Sequence, residues 1–513
     1  MDEKTEKYYP VDHTIYGSGR EDAFIFRKND GRVNWTSRAD SQILAMLNGL
    51  KSKEHFFQIL QESDLVTEGS LPLDLVEKRL DNLIKLGLLR RETALSGVKG
   101  SSPPNLHDFL GKKNDSPVQK AGENFDIQKT KTAARKIGLS EESVNFIFNS
   151  SDENNTGSEN NRRIISAPQG KHLLFTDAFY KRLYLPKTSL ADCLVQESVQ
   201  EGFSLLDDSG ENSLESLMQD TDFDGEGFFG ALLDSELNNK WVLDAVMRDI
   251  SRKIEEGVAY IGAVSCGIAG TPYFKRSRDI SGLRFASRDN NIFHSESSYN
   301  EFKNNPRIAA YPEAITVSMG LSISDTFFML NGRSIIPPFY PVGSTSNTAL
   351  SMLFRYINSD CYYCSAPLAA YREAPHDPNW AKNTLTIDEG GFNTTIAMDI
   401  CRALITDDPL HRIREAGRRY RERAALSPKL FGEYYNNLAN DMCIGNINSN
   451  RAIINMYNGE PSFWRHDVEA GIELWEDLLN EKKKEAPPKL QQHLALFGEA
   501  LEAWVELREE LAD

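Results

Sequence analysis

The sequence predicts an α/β protein with an N-terminal winged helix-turn-helix and a helical C-terminal region. Three observations carry this. A hairpin and three amphipathic segments fill residues 1–95, an apolar strand ending in small residues covers 258–271, and helical periodicity dominates after residue 398. At 513 residues the chain has room for about two to four domains, and 40% hydrophobic residues suffice for sizeable cores.

The hairpin is AFIFRKNDGRVNWTS, in which Asn29-Asp30-Gly31 separates two β-rich runs. Ile43, Leu44, Leu47 and Leu50 then repeat at helical spacing, Phe56, Phe57, Ile59 and Leu60 mark a second helix, and a third spans about 72–86. Pro72 suits the first turn of that helix and Gly87 its end. Residues 96–124, rich in Ser, Pro, Gly and Lys, are predicted to be a linker. The polar stretch NSSDENNTGSENNRR (149–163) is expected to be a loop, and 207–236 an acidic surface insertion. Asp220, Asp222, Asp224 and Gly225 resemble the opening of a calcium loop, but Ala231 stands where a bidentate Glu is required.

WVLDAVMRDISRKIEEG (241–257) patterns as an amphipathic helix, and VAYIGAVSCGIAGT as the apolar strand after it. Gly267, Gly270 and Thr271 at that strand end either allow close approach of a ligand or form a plain tight turn. IIPPFYPVGSTSN (335–347) carries three prolines, so it cannot be a central strand and should be a rigid loop shaping a cleft.

Charge and cysteine usage exclude some functions. With 75 acidic against 58 basic residues the net charge is −17, which disfavours a nucleic-acid partner. No apolar run reaches membrane-span length, and the first residues lack a secretory h-region, so the expected location is the cytoplasm with no membrane partner. Of six cysteines only Cys361 and Cys364 form a C-x-x-C; two thiols near a strand are the first interpretation, and a redox or metal site the second.

VNWTSRADSQILAMLNGLKSKEHFFQIL with LDLVEKRLDNLIKLGLLR resembles the PqqD-like peptide recognition element of proteins that modify ribosomally made peptides. The resemblance implies that a precursor's leader adds as a strand beside Arg32, Val33, Asn34, Trp35 and Thr36, facing a helix that bears Val76, Arg79, Leu80 and Leu83. An ordinary winged helix is the alternative. TGSENNRRIISAPQGKHLLFTDAF, GIAGTPYF, MLNGRSIIPPFYPVG, APLAAYREAP, FWRHDV and FGEALEAWVEL resemble, in that order, the GT-A glycosyltransferase-like proteins to which such modules are fused.

That second resemblance implies a Rossmann-type GT-A-like domain over 125–398, a helical region over 399–513, and a nucleotide-sugar as the candidate cofactor. It also implies metal-binding carboxylates, which are largely missing: only Asp177 remains on the strand where consecutive aspartates belong. Ser344, Thr345, Ser346 and Asn347 replace an Arg and an acid, and Tyr371 and Arg372 replace an apolar–His pair. Asp177, Arg333 and Asn347 are therefore the candidate catalytic residues with no metal assigned, and Gly267, Gly270, Thr271, Arg278, Pro337, Pro338, Tyr371 and Arg372 the candidate cleft. The expected function is maturation of a leader-bound peptide. The alternative is a non-catalytic adaptor that presents the precursor to a partner modifying enzyme.

Overall fold

The structure is a computed structural model. It describes the strands within residues 7–94, residues 104, 106–109, 125–149, 156–176, 180–187, 193–196, 201–206, 213–219, 223–235, 242–243, 259–271, 295–297, 299–300, 307–312, 314–318, 327–343, 346–373, 389–401, 408–456, 462–481 and 484–512. The three predicted N-terminal helices and most of the 96–124 linker lie outside the described residues. So does most of 241–257, apart from Val242–Leu243, which is strand where the pattern predicted helix.

The described elements make a mixed α/β fold. The predicted hairpin is present: β3 (Asp22–Arg27) and β4 (Val33–Ser37) pair antiparallel from Phe26↔Val33 to Asp22↔Ser37, and β2 (His13–Gly17) lies on the other side of β3. A larger sheet holds β1 (Lys7–Pro10), β5 (Lys51–Ser52) and β6 (Leu89–Ala94) at one end. It passes through β12 (Val242–Leu243), β9 (Cys193–Gln196) and β15 (Ile315–Ser318) to β17 (Cys361–Arg372), β13 (Tyr260–Gly270), β14 (Ile308–Pro312) and β10 (Glu201–Leu205). β13 and β17 run parallel, and β8 (Tyr180–Pro186) lies antiparallel to β17. β16 (Phe327–Leu330) pairs antiparallel with β13 and with β7 (Leu173–Thr176).

β13 is buried along almost its whole length because apolar layers cover both faces, which explains its near-continuous hydrophobicity. One layer contains α5 (Gly225–Leu233), whose Asp224 caps it by accepting from Gly227 N at 2.8 Å. Phe228, Phe229, Leu232 and Leu233 of that helix are fully buried. The acidic segment thus contributes a core helix where a surface insertion was expected, because its apolar residues repeat at helical spacing behind a polar cap.

The other layer is larger. It joins α1 (Ile127–Lys136), α2 (Glu141–Asn149) and α3 (Gly157–Ser166) to α6 (Ser346–Ile357), α7 (Glu389–Cys401), α8 (Pro409–Ala424), α9 (Pro428–Met456) and α11 (Leu490–Ala512). α10 (Ser462–Asn480) packs on α9 around Cys443, Ile447, Ile472 and Trp475. Ala133, Phe339, Leu353, Tyr420 and Trp504 share one core, so residues before and after 398 pack as one body there.

The proline-rich segment lies inside this core. Ile336, Pro337, Pro338, Phe339 and Tyr340 are buried, so the two prolines are walls of the interior and not the rim of an open cleft. A buried irregular backbone needs partners for its polar groups, and two asparagines and a tryptophan supply them here. Asn161 donates to Phe339 O at 2.9 Å and accepts from Phe339 N at 2.7 Å. Asn358 does the same at Ile335, at 2.9 and 3.0 Å. Asn331 donates to Ile261 O and Leu233 O, and Trp504 Nε1 donates to Ile336 O. The polar stretch expected to be a loop is in part α3, because Asn161 is spent on the core.

Cys361 and Cys364 sit on opposite faces of β17, one in each apolar layer. Three residues of strand separate them by about 10 Å, too far for a disulfide or a shared metal. Burial pushes the Cys361 thiol up to about 12 and also raises Cys266 and Cys443. Cys266, Cys361, Cys364 and Cys443 should therefore resist Ellman's reagent until denaturant is added. Fast release of more than two equivalents from the native chain would contradict this packing.

Candidate functional site

The carboxyl end of the parallel pair β13–β17 gathers most of the described residues predicted to line a cleft. Gly270 pairs with Arg372 and has φ +93°, a conformation open to glycine. A Cβ there would collide with Arg372 O. Thr271 N donates to Arg372 O at 3.0 Å, and Arg372 Nη1 returns a bond to Thr271 O at 3.0 Å. Gly267 packs its α-carbon against the backbone of Ala310 and Tyr311, so its missing side chain serves strand packing. Tyr371 is half-buried and meets Tyr184 edge-on at 5.7 Å.

β8 adds residues the sequence reading missed. Tyr371 pairs with Arg182 and Arg372 with Tyr180, so Lys181 is the extra residue of a β-bulge. Arg182 stacks over the Tyr184 ring and donates to its hydroxyl. Their signal in the sequence is two adjacent cations opening an otherwise apolar strand. In an open sheet the carboxyl ends of parallel strands are the usual ligand position, and bulges often re-aim side chains beside such sites. Lys181 and Arg182 are exposed at this end, whereas Arg372 is buried and engaged with Thr271 O. Among the described residues, no three His, Cys, Asp or Glu side chains could hold a metal ion.

Asp177 and Arg278 lie outside the described residues. Arg333 stands elsewhere. β16, which Arg333 follows, runs antiparallel to β13 with Leu330 opposite Ala263, so Arg333 lies toward the amino-terminal half of β13, away from Gly270 and Arg372. Exposed Arg333 reaches Asp234 at 3.8 Å, a surface ion pair of small energetic weight. Asp234 also accepts from His172 Nε2 at 3.2 Å, while His172 Nδ1 accepts from Gly332 N at 3.1 Å, so both imidazole nitrogens are engaged. Asn347 lies in the first turn of α6, where its carbonyl accepts from Ser351 Oγ at 2.7 Å.

The second candidate surface is β4. It takes in Val33, Asn34, Trp35 and Thr36, and among the described residues it pairs with β3 alone, leaving one edge without a neighbouring strand. Arg32, Val76, Arg79, Leu80 and Leu83 lie outside the described residues. No helix among the described residues is long and apolar enough to cross a membrane. No family model, curated protein or solved structure matches the chain.

Proposed function

We propose that this protein takes part in the maturation of a ribosomally synthesised peptide, binding the leader as an added strand on β4 of a PqqD-like winged helix. A GT-A-like domain then acts at the carboxyl end of β13 and β17. The observation that carries this is the edge position of β4, the second strand of the hairpin that the Asn29-Asp30-Gly31 turn predicts. Edge strands with unpaired N–H and C=O groups are templates for strand addition, where main-chain bonds supply affinity.

Fluorescence anisotropy with a labelled leader of the precursor encoded beside the protein tests it. Binding at micromolar strength or tighter, about −8 kcal/mol, is expected. Successive N–H groups of an edge strand point to opposite sides, so one of Val33→Pro and Asn34→Pro removes an outward donor. That variant should weaken binding at least tenfold, about 1.4 kcal/mol. Unchanged binding in both variants, or equal binding by a chain lacking residues 1–95, overturns the proposal.

The separation of Arg333 from the sheet end favours a second reading, an adaptor that presents the precursor to a partner enzyme. A thermal-shift panel of UDP-, GDP- and dTDP-sugars separates the two. A bound donor at a hundredfold excess over its Kd adds about 2.7 kcal/mol, whereas the adaptor shows a shift with leader peptide only.

A further inference from the structure

One cluster of titratable groups away from the sheet end pairs a carboxylate with an imidazole. Glu389, in the first turn of α7, accepts from the Tyr340 hydroxyl at 2.5 Å and from His493 Nδ1 at 2.7 Å. An ionised carboxylate only accepts, so Nδ1 is the donor to it, and in the neutral imidazole that leaves the lone pair on Nε2. Phe146 stacks on the imidazole, with centroids 4.8 Å apart and planes at 27°. His493 N donates to Lys489 O at 2.8 Å in the first turn of α11, which fixes the ring's base. Burial, then the neighbouring Glu389 charge, hold the Tyr340 hydroxyl protonated far above its ordinary range, so it stays a donor.

The dyad is thus oriented from both sides, while one nitrogen stays available. His493 Nε2 has no bonding partner among the described residues, and its side chain keeps 17% exposure. Gly343 packs against the backbone of Gly390, the residue after Glu389. Two helices that start far apart along the chain, α7 and α11, bring this acid and the imidazole together.

From this geometry we infer that Glu389 and His493 form an acid–base centre for a hydroxyl- or thiol-bearing substrate. The proton leaves the substrate oxygen or sulfur for His493 Nε2. Nδ1–H stays bonded to Glu389, whose carboxylate offsets the imidazolium charge, and Tyr340 holds that carboxylate in place. This centre goes beyond the peptide-maturation reading and does not depend on it, since no residue before 125 takes part.

Carbethoxylation of the full chain by diethyl pyrocarbonate, mapped by mass spectrometry, tests the inference because the reagent attacks an imidazole lone pair. His466, with an 85% exposed side chain, is the internal reference. His493 should react at least as fast as His466 despite its burial. Glu389→Gln should slow His493 at least fivefold and leave His466 unchanged. Should that variant fail to fold, ¹⁵N shifts of histidine-labelled wild-type protein give the tautomer directly, with Nδ1 protonated and Nε2 bare as the expected result. A His493 that reacts several-fold more slowly than His466, or that carries its proton on Nε2, would make the cluster a packing contact only.

Discussion

Asn161→Ala is expected to destabilise the protein by about 3–5 kcal/mol. The side chain makes three bonds to buried backbone, to Phe339 N, Phe339 O and Ile147 O. Each buried polar group left without a partner costs about 1–3 kcal/mol, and no regular ladder is at hand to recapture the Phe339 groups. Asn149→Ala is the control, since Asn149 is exposed and its side-chain bond is long at 3.4 Å; it should change stability by less than about 0.5 kcal/mol. Urea titration followed by tryptophan fluorescence compares the two. Matching midpoints for both variants would mean that Asn161 does not hold the proline-rich segment.

Gly343→Ala should be costlier than the same change at Gly138, although both glycines have φ +79°. Left-handed backbone alone penalises an alanine by about 1–2 kcal/mol. At Gly138 nothing lies within 4 Å of an added Cβ, so that strain is the whole effect. At Gly343 the methyl would stand 2.6 Å from Gly390 Cα and closer still to its N, and backbone on both sides is fixed by the core. The total should exceed about 3 kcal/mol, combining strain with overpacking. Equal losses of melting temperature at the two positions would show that the Gly343–Gly390 approach is loose.

What the sequence revealed was what local pattern encodes. Asn29-Asp30-Gly31 between two β-rich runs is a local signal, and β3 and β4 pair as it implied. The run from Tyr260 to Gly270 was legible as a strand because burial on both faces leaves a continuous apolar stretch. The proline-rich segment was legible as irregular but not as buried, since its interior position depends on Asn161 and Asn358, which look polar and loop-like in one dimension. That Arg333 and Arg372 stand apart was not legible for a related reason: only the pairing of β16 with β13, and of β13 with β17, places them toward different ends of β13. Lys181 and Arg182 showed only as two cations opening an apolar strand, because a bulge is a property of two strands, and the Glu389–His493 contact joins residues 104 positions apart.

The shared core has a consequence for how the protein is made. Ser140 bonds to Glu499, 359 residues later, and Trp504 closes over Ile336 and stacks on Phe148. A nascent chain therefore carries α1 to α3 and the proline-rich segment out of the ribosome long before α11 exists to cover them. Contacts of such long range form slowly, and the waiting apolar surface is open to aggregation or chaperone capture during translation. A premature stop just before Leu490 would remove α11 and leave Phe148, Ile336 and Tyr420 without the partners that seal them. Such truncated products should be cleared by proteolysis or remain insoluble.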